Sequence, residues 1–472
     1  MTPEELELYM YYVGWFMLLT ILALITRTIT KKHSHDNTTN TDIKSIATTE
    51  YIAFRRHYLL VYLFMVGADW LQGPYVYALY KYYGYDISDI GLLFIIGFGS
   101  SMVFGTIVGS AADKYGRKYM CILFGIMYSI ACCTKHSHQF SILCIGRLLG
   151  GISTSILYSS FESWLVYTHN EFKLEPTHGK LLLDTTFSTA GMGNSLVAIL
   201  SGVVASTARD KFGPVAPFDV SMICLIIGSI LIVLYWKTDQ PNHSYTNHQS
   251  NNINLYEQMK LGLNGMLQDN RIWLLGLVQS FFEGSMYVFV FMWTPALEST
   301  STQPIYHGWI FGTFMISAFI GSTLFEYVAV VRQIKHELIM LSLLVVSGMS
   351  LIIPAFVSQH TVRLLSFMIF EVCVGCFWPA CMSLREKYIT NDNVRTTTMN
   401  LFRIPLNAIV VIVLLNIGQL SELQVFATCV LCLAVSLVCC YQIYISPMHM
   451  YKQVVMNDGV IELAAADTPS SV

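Results

Sequence analysis

The chain carries little charge: Asp, Glu, Lys and Arg make up only 12% of its 472 residues. A soluble domain usually has about 25% of such residues. Apolar residues make up 54% of the chain, which excludes an ordinary soluble domain and indicates many lipid-facing segments. The net charge of −3 gives no sign of nucleic-acid binding.

The sequence also lacks the side-chain patterns of disulfide, metal and catalytic sites. All 12 cysteines fall within or at the ends of apolar runs, including the pairs Cys373/Cys376 and Cys429/Cys432. A metal or redox site is one interpretation of this CxxC spacing, but we favour small packing residues on buried helices. No nucleophile–base pair, zinc-type Cys/His spacing or ATP-binding loop is found. We therefore expect no enzymatic activity, no metal and no cofactor.

Long apolar runs are the main feature that is present, and a membrane-spanning helix needs roughly 20 mostly apolar residues. Thirteen runs predict spans near 9–26, 58–80, 90–111, 119–134, 140–166, 182–206, 218–236, 272–297, 305–330, 338–357, 362–384, 397–419 and 423–445. Acidic residues precede the first run, and no small-residue cleavage site follows it, so we expect a retained helix rather than a signal peptide. The fold class predicted is an all-α membrane protein.

A polar stretch at 237–271, rich in Asn, His, Ser and Gln, divides the last twelve spans into six and six. Transporters built from two parallel repeats have this arrangement. The predicted regions are an extra N-terminal transmembrane helix (9–26) with a cytoplasmic segment in 1–57, a six-helix bundle in 58–236, a cytoplasmic linker in 237–271, a second six-helix bundle in 272–445 and a cytoplasmic tail in 446–472.

The positions of Lys and Arg predict the orientation, because cytoplasmic loops of membrane proteins carry an excess of both. If 27–57 is cytoplasmic, twenty Lys and Arg residues fall on the cytoplasmic side. The opposite side holds only four, namely Lys81, Lys135, Arg209 and Lys211. We therefore predict a multi-pass membrane protein with an extracellular N-terminus and a cytoplasmic C-terminus.

A charged motif lies between the second and third helices of the first half. It matches the pattern G-x-x-x-D-[RK]-x-G-R-[RK] at Gly109, Asp113, Lys114, Gly116, Arg117 and Lys118. The motif resembles the loop signature of the major facilitator superfamily, which implies two six-helix bundles that alternate access to a site between them. Gly116 permits a tight turn, and Asp113 at a helix end can bind Arg117 or a neighbouring helix N-terminus. We interpret the motif as a conformational latch; the alternative is a solvated charged turn.

Longer stretches resemble one branch of that superfamily, the molybdate-anion transporter family. They lie at 69–80, 146–151, 161–164, 291–295, 370–375 and 399–405. The resemblance implies a carrier in the cell membrane for molybdate or a related inorganic oxyanion. Two alternatives remain: the same fold carrying a sugar or organic anion, and a membrane receptor or scaffold that transports nothing.

Ionisable and amide side chains inside the spans are the candidate substrate site, because such groups are costly in a bilayer unless they are paired or hydrated. Arg403 shares one helical face with Asn400 and Asn407. A guanidinium flanked by amides supplies the converging donors that a tetrahedral oxyanion requires. Arg147 and Gln72 are further candidates, and for Arg147 a purely structural role is an equal alternative.

Three carboxylates also lie near the centres of predicted spans: Asp69, Glu283 and Glu371. An ionised carboxylate cannot bind an anion, so a different role is expected for them. They either take up protons that drive transport or pair with Arg147 and Arg403 between turnovers.

Overall fold

A computed structural model of the chain describes residues 3–33, 48–237, 269–301, 303–389, 392–446, 454–457 and 460–463. Residues 34–47 of the predicted cytoplasmic segment and most of the predicted linker 237–271 lie outside the described residues. The same is true of most of the predicted tail 446–472.

The described residues are almost entirely helical. The helices are α1 (Pro3–His33), α2 (Thr49–Gln72), α3 (Val76–Tyr82), α4 (Ile87–Tyr115), α5 (Arg117–Cys133), α6 (Phe140–Glu171), α7 (Pro176–Phe212), α8 (Ala216–Tyr235), α9 (Asn270–Glu298), α10 (His307–Glu326), α11 (His336–Phe356), α12 (His360–Tyr388), α13 (Asp392–Leu415) and α14 (Glu422–Ile445). Two short strands, β1 (Val454–Asn457) and β2 (Val460–Leu463), pair antiparallel.

Eleven helices in the described part of the chain are long and apolar enough to cross a membrane. The two remaining predicted spans, 58–80 and 397–419, coincide with α2 plus α3 and with α13. The predicted span 58–80 is interrupted by a 3₁₀ turn at Gly73–Tyr75, because Pro74 has no N–H to donate to the helix.

The helices pack as two groups, α2–α8 and α9–α14. Contacts of α4 with α13 and of α7 with α10 join the groups, while α1 lies outside both and packs on α10. This arrangement confirms the predicted fold class: two six-helix bundles plus one extra N-terminal helix.

Helix α1 runs parallel to α10 and is fixed at both ends. Near its start, the ring of Tyr9 meets that of Trp309 with 5.7 Å between centroids. Near its end, Arg27 Nη1 lies 2.9 Å from Glu326 Oε2. The Tyr12 hydroxyl also forms a 2.7 Å hydrogen bond with His360 Nε2 of α12. Helix α1 is therefore attached to the second bundle.

The two bundles meet at the protein face that carries the loops 83–86, 303–306 and 416–421, which we call the closed face. Lys81 Nζ of α3 lies 2.6 Å from Glu298 Oε2 of α9. The Tyr75 hydroxyl accepts a 3.3 Å hydrogen bond from the Gly308 backbone N–H. The ring of Phe291 contacts the rings of Tyr77 and Phe94 across the interface. These contacts join the two bundles at the closed face and directly inside it.

Candidate functional site

The exposure and neighbours of one tyrosine indicate a solvent-accessible space between the bundles, on the inner side of these contacts. Tyr158 of α6 is 63% exposed. It nevertheless interacts electrostatically with Asp69 of the first bundle and Tyr287 of the second. A side chain that has neighbours in both bundles and is still exposed lines a cavity between them, and we call this space the central cavity.

In the first bundle, Asp69 of α2 is half-buried and accepts a 2.6 Å hydrogen bond from the Tyr128 hydroxyl of α5. Arg147 of α6 interacts electrostatically with the same tyrosine. Its Nε donates to the Leu93 backbone oxygen at 3.0 Å, and its guanidinium stacks 4.7 Å from the Phe94 ring centroid. Tyr128 thus joins two predicted site residues, Asp69 and Arg147, which form no salt bridge among the described residues.

Gln72 does not face the central cavity, although it was predicted as a substrate ligand. The residue is 5% exposed, and its Nε2 donates to Ser221 Oγ of α8 at 3.1 Å. Ser221 in turn donates to the Ala68 backbone oxygen at 2.6 Å. The amide is therefore used in packing α2 against α8. Hydropathy does not determine how a helix is rotated about its axis, so the role of Gln72 as a ligand stays a prediction.

In the second bundle, Glu283 of α9 belongs to a compact polar group. Its Oε1 accepts a 2.7 Å hydrogen bond from Gln279 Nε2 and lies 3.7 Å from Arg385 Nη2 of α12. Gln279 Oε1 accepts from Arg385 Nε at 3.0 Å. The sequence predicted Arg147 or Arg403 as the partner of Glu283, whereas the salt bridge is made by Arg385.

Arg385 was missed because the predicted span 362–384 ends one residue before it, so it was assigned to a cytoplasmic loop. Helix α12 continues to Tyr388, and this additional helical turn places the Arg385 side chain against α9. Its side chain is 16% exposed, and that of Glu283 is 7% exposed. The available signal was helical periodicity: Glu371, Cys381 and Arg385 fall near one face of a single helix, which would have extended the predicted span to Arg385.

Arg403 of α13 is exposed and points toward the first bundle. A Cβ atom on Gly105 of α4 would lie 3.3 Å from Arg403 Nη1. Arg403 also interacts electrostatically with Glu283 and Tyr287. Because it has neighbours in both bundles and remains exposed, its guanidinium lies at the central cavity.

Of the two amides predicted to assist Arg403, Asn407 donates its Nδ2–H to the Arg403 backbone oxygen at 2.6 Å, a contact within its own helix. The side chain of Asn400 lies outside the described residues. Glu371 is 6% exposed on α12. In the described part of the chain, no salt bridge connects Glu371 with Arg147 or Arg403.

Lys135 is a buried lysine just outside the predicted span 119–134, on the predicted extracellular side. It is 3% exposed at the end of α5. Its Nζ donates to the Tyr80 hydroxyl at 2.5 Å and lies 4.8 Å from the centroid of that ring. Tyr80 also interacts electrostatically with Arg147. The first bundle therefore contains two basic side chains, Lys135 and Arg147, close to one tyrosine.

The charged motif forms the turn between α4 and α5. Gly116 has a φ of 97°, which favours glycine, and it ends α4. The Arg117 guanidinium lies 4.9 Å from the Tyr167 ring centroid, and Lys118 Nζ donates to the Trp236 backbone oxygen at 2.6 Å. Lys114 Nζ lies 5.2 Å from the Tyr115 ring centroid. The surroundings of Gly109 and the Asp113 side chain lie outside what the structure describes, so the latch stays a prediction.

The cysteines of the two CxxC pairs lie inside the helix packing. Cys373, Cys376, Cys429 and Cys432 are all buried free thiols. In the part of the chain that the structure describes, no group of three or more His, Cys, Asp and Glu side chains could hold a metal ion.

Comparison with known proteins supports the fold. The family model described as "Sugar-transporters, 12 TM", of the MFS group, matches residues 11–370. A nucleoside transporter, NupG, superposes with a TM-score of 0.62 at 13% identity, over 82% of this chain and 99% of that one. A peptide transporter, POT, gives a TM-score of 0.66 at 15% identity, over 83% of this chain and 93% of that one. At such identities the two solved structures show the fold alone.

Curated relatives are similar over most of the sequence. The chain is 30% identical to a molybdate-anion transporter of Takifugu rubripes, over 87% of this chain and 89% of that protein. It is 31% identical to one of Danio rerio, over 80% and 82% of the two chains. One of Xenopus tropicalis is 28% identical over 97% and 98%. The chain therefore belongs to the major facilitator superfamily, in the molybdate-anion transporter family.

Proposed function

We propose that this membrane transporter carries molybdate or a related tetrahedral oxyanion into the cell by alternating access. The observation that carries the proposal is the identity of about 30% with molybdate-anion transporters over 80–87% of this chain. The position of Arg403 adds chemical support, because an anion that loses hydration water in the central cavity needs charge-assisted hydrogen bonds there.

Arg403 is the proposed anion ligand, with Asn400 beside it on the same helix. Arg147, near Tyr80 and Tyr128, is the proposed second cation of the pathway. Gln72 and Asn407 have other partners in the described conformation. We retain them only for a state in which α2 and α13 have rotated.

Proton coupling is proposed for Asp69, Glu283 and Glu371. Asp69 is the strongest of the three, because it is only half-buried and its described hydrogen bond comes from a neutral hydroxyl. A carboxylate in that setting can take up a proton without breaking a salt bridge. The Glu283 carboxylate, in contrast, must give up Arg385.

For topology, we propose that the closed face is extracellular and that the protein lies in the cell membrane. Helix α1 begins at the closed face, so the N-terminus would be extracellular and the segment after α1 cytoplasmic. The proposed domains are the extra helix with its segment in 1–57, bundles in 58–236 and 272–445, a linker in 237–271 and a tail in 446–472.

The test is uptake of labelled molybdate by liposomes that contain the purified full-length protein, with tungstate and sulfate as competitors. We expect saturable uptake that both tetrahedral dianions reduce and that is lost in Arg403→Gln. Glucose is included as a further competitor, because the matching family model is described by sugar transport. Competition by glucose alone would favour a sugar carrier, and absence of any solute movement would favour a receptor or scaffold.

A further inference from the structure

A polar cleft of about 430 Å³ opens on the closed face, where the ends of the two bundles meet. Lys81 of α3 and Arg209 of α7 line it from the first bundle, and Glu298, Gln303 and His307 line it from the second. Arg209 also interacts electrostatically with Tyr75 and Tyr306 at the same junction. The cleft therefore places two basic side chains, Lys81 and Arg209, beside the Glu298 carboxylate at the junction of the bundles.

Glu298 is held from both bundles at once. Its Oε2 lies 2.6 Å from Lys81 Nζ, and its Oε1 lies 3.0 Å from His307 Nε2. The Lys81 bond crosses between bundles, whereas the His307 bond stays within the second bundle. Separation of the bundles at this face must break the first bond and can leave the second intact.

The charges of the cleft make Glu298 the group that a dianion would replace. Arg209 Nη1 lies 3.3 Å from Oδ1 of Asp210, its neighbour in the chain, and the Arg209 side chain remains 39% exposed. The Lys81 side chain is 56% exposed. The Glu298 side chain is 20% exposed, so water reaches this ion pair mainly from the Lys81 end, where it screens the attraction. A doubly charged oxyanion can therefore compete with the single charge of Glu298 for Lys81.

We propose that this cleft is an entry site for tetrahedral oxyanions, at which the arriving anion binds Lys81 and Arg209 and displaces Glu298. The displaced carboxylate no longer joins the bundles, so anion binding at the entry site opens the closed face. The identity of the anion in this inference rests on the proposed function. The role of Glu298 as a cross-bundle contact is independent of the proposed function.

Opening is measured with Ser206→Cys in the full-length protein, purified in detergent. Ser206 is 1% exposed, and a Cβ atom on Gly308 of the other bundle would lie 2.7 Å from its Cβ. A hydrophilic maleimide labels a cysteine there only when the bundles separate. Peptide mass spectrometry distinguishes position 206 from the native cysteines.

We expect sodium molybdate to raise the labelling rate at position 206 by about fivefold or more, the lower end of typical coupling between two sites. Sodium chloride at equal ionic strength should leave the rate unchanged.

Glu298→Gln should raise labelling without molybdate, and molybdate should then add little. Lys81→Gln should behave in the same way and should weaken molybdate binding in calorimetry. Glu326→Gln, which breaks the Arg27 pair away from the closed face, is the matched control and should label at the rate of the parent protein.

Hydrogen–deuterium exchange of residues 303–306 gives the same readout without an introduced cysteine, should Ser206→Cys fail to fold. Unchanged labelling and exchange in Glu298→Gln would overturn the role of Glu298. Molybdate that binds in calorimetry but leaves both readouts unchanged would overturn the entry site alone. No molybdate binding at all would overturn the proposed substrate and the entry site, while an opened Glu298→Gln protein would still support the cross-bundle contact.

Discussion

Glu283 and Arg385 face each other across α9 and α12, with 3.7 Å between Oε1 and Nη2, and Gln279 hydrogen-bonds to both. This group sits within the second bundle, so it can persist while the bundles move relative to each other. Arg403 forms no salt bridge among the described residues, and it shares with Arg385 its electrostatic interaction with Glu283.

The first prediction concerns this pair. Arg385→Gln leaves the Glu283 carboxylate buried with only an amide partner, and removal of one partner from a buried ion pair costs about 3–5 kcal/mol. We therefore expect lower yield and a lower Tm by fluorescence-detected size exclusion. The double variant Glu283→Gln/Arg385→Gln should recover most of the loss. Equal Tm values for the single and double variants would contradict the pairing.

The second prediction concerns Arg403. Charge-assisted hydrogen bonds contribute about 1.5–3 kcal/mol each, or roughly tenfold or more in affinity. Lys keeps the charge but not the two-pronged donor geometry. Arg403→Lys should therefore retain partial molybdate uptake at weaker apparent affinity, and Arg403→Gln should lose uptake at similar surface expression.

A purely structural Arg403 gives a different pattern. In that case Arg403→Gln would misfold, and a second change of Glu283 or Glu371 to Gln would restore expression and transport together. Normal molybdate uptake by such a double variant would make Arg403 a lock between helices and move the search for the anion site to Arg147.

The third prediction concerns the latch. Asp113→Asn keeps the size of the side chain and removes its charge, so membrane insertion should survive while molybdate uptake slows. Glu171→Gln, which also removes one exposed carboxylate from the end of a long helix, α6, is the matched control. Uptake at the parental rate in a normally expressed Asp113→Asn protein would make the motif a solvated turn.

The fourth prediction concerns the attachment of α1. Tyr12 is 1% exposed, and Tyr12→Phe removes its hydrogen bond to His360, a net loss of about 0.5–1.5 kcal/mol. The Tm of the purified protein should fall. Tyr82→Phe, at a side chain that is 68% exposed, should leave the Tm unchanged. An equal Tm for both variants would show that this contact contributes nothing to stability.

The fifth prediction concerns orientation. An epitope tag at the N-terminus should bind antibody on intact cells, and a tag at the C-terminus should bind only after permeabilisation. The reverse pattern would place the closed face inside the cell. A glycan would do the same on Asn37 or Asn242, which begin the sequons Asn37-Thr38-Thr39 and Asn242-His243-Ser244 on the predicted cytoplasmic side. Both residues lie outside the described residues.

Hydropathy predicted the thirteen helical regions because every backbone polar group in lipid must be paired within a helix or a closed barrel. It failed at Arg385 and Lys135, which lie at helix ends where burial depends on neighbouring helices. It does not fix the direction of Gln72, because an amide inside a span satisfies the same pattern whether it faces a cavity or another helix. The charge pairs depend on how two distant helices are rotated relative to each other; Gln279 and Arg385, for example, are 106 residues apart. The periodicity within one helix carries no information about that rotation.

The attachment of α1 to the second bundle has a consequence for biosynthesis. Arg27 and Glu326 are 299 residues apart, and Tyr12 and His360 are 348 apart. At about 5–20 residues per second, a ribosome needs roughly 15–60 s to reach Glu326 after Arg27. Helix α1 must therefore remain in lipid until its partners in α10 and α12 have been synthesised. Its docking marks a chain whose second half has been translated.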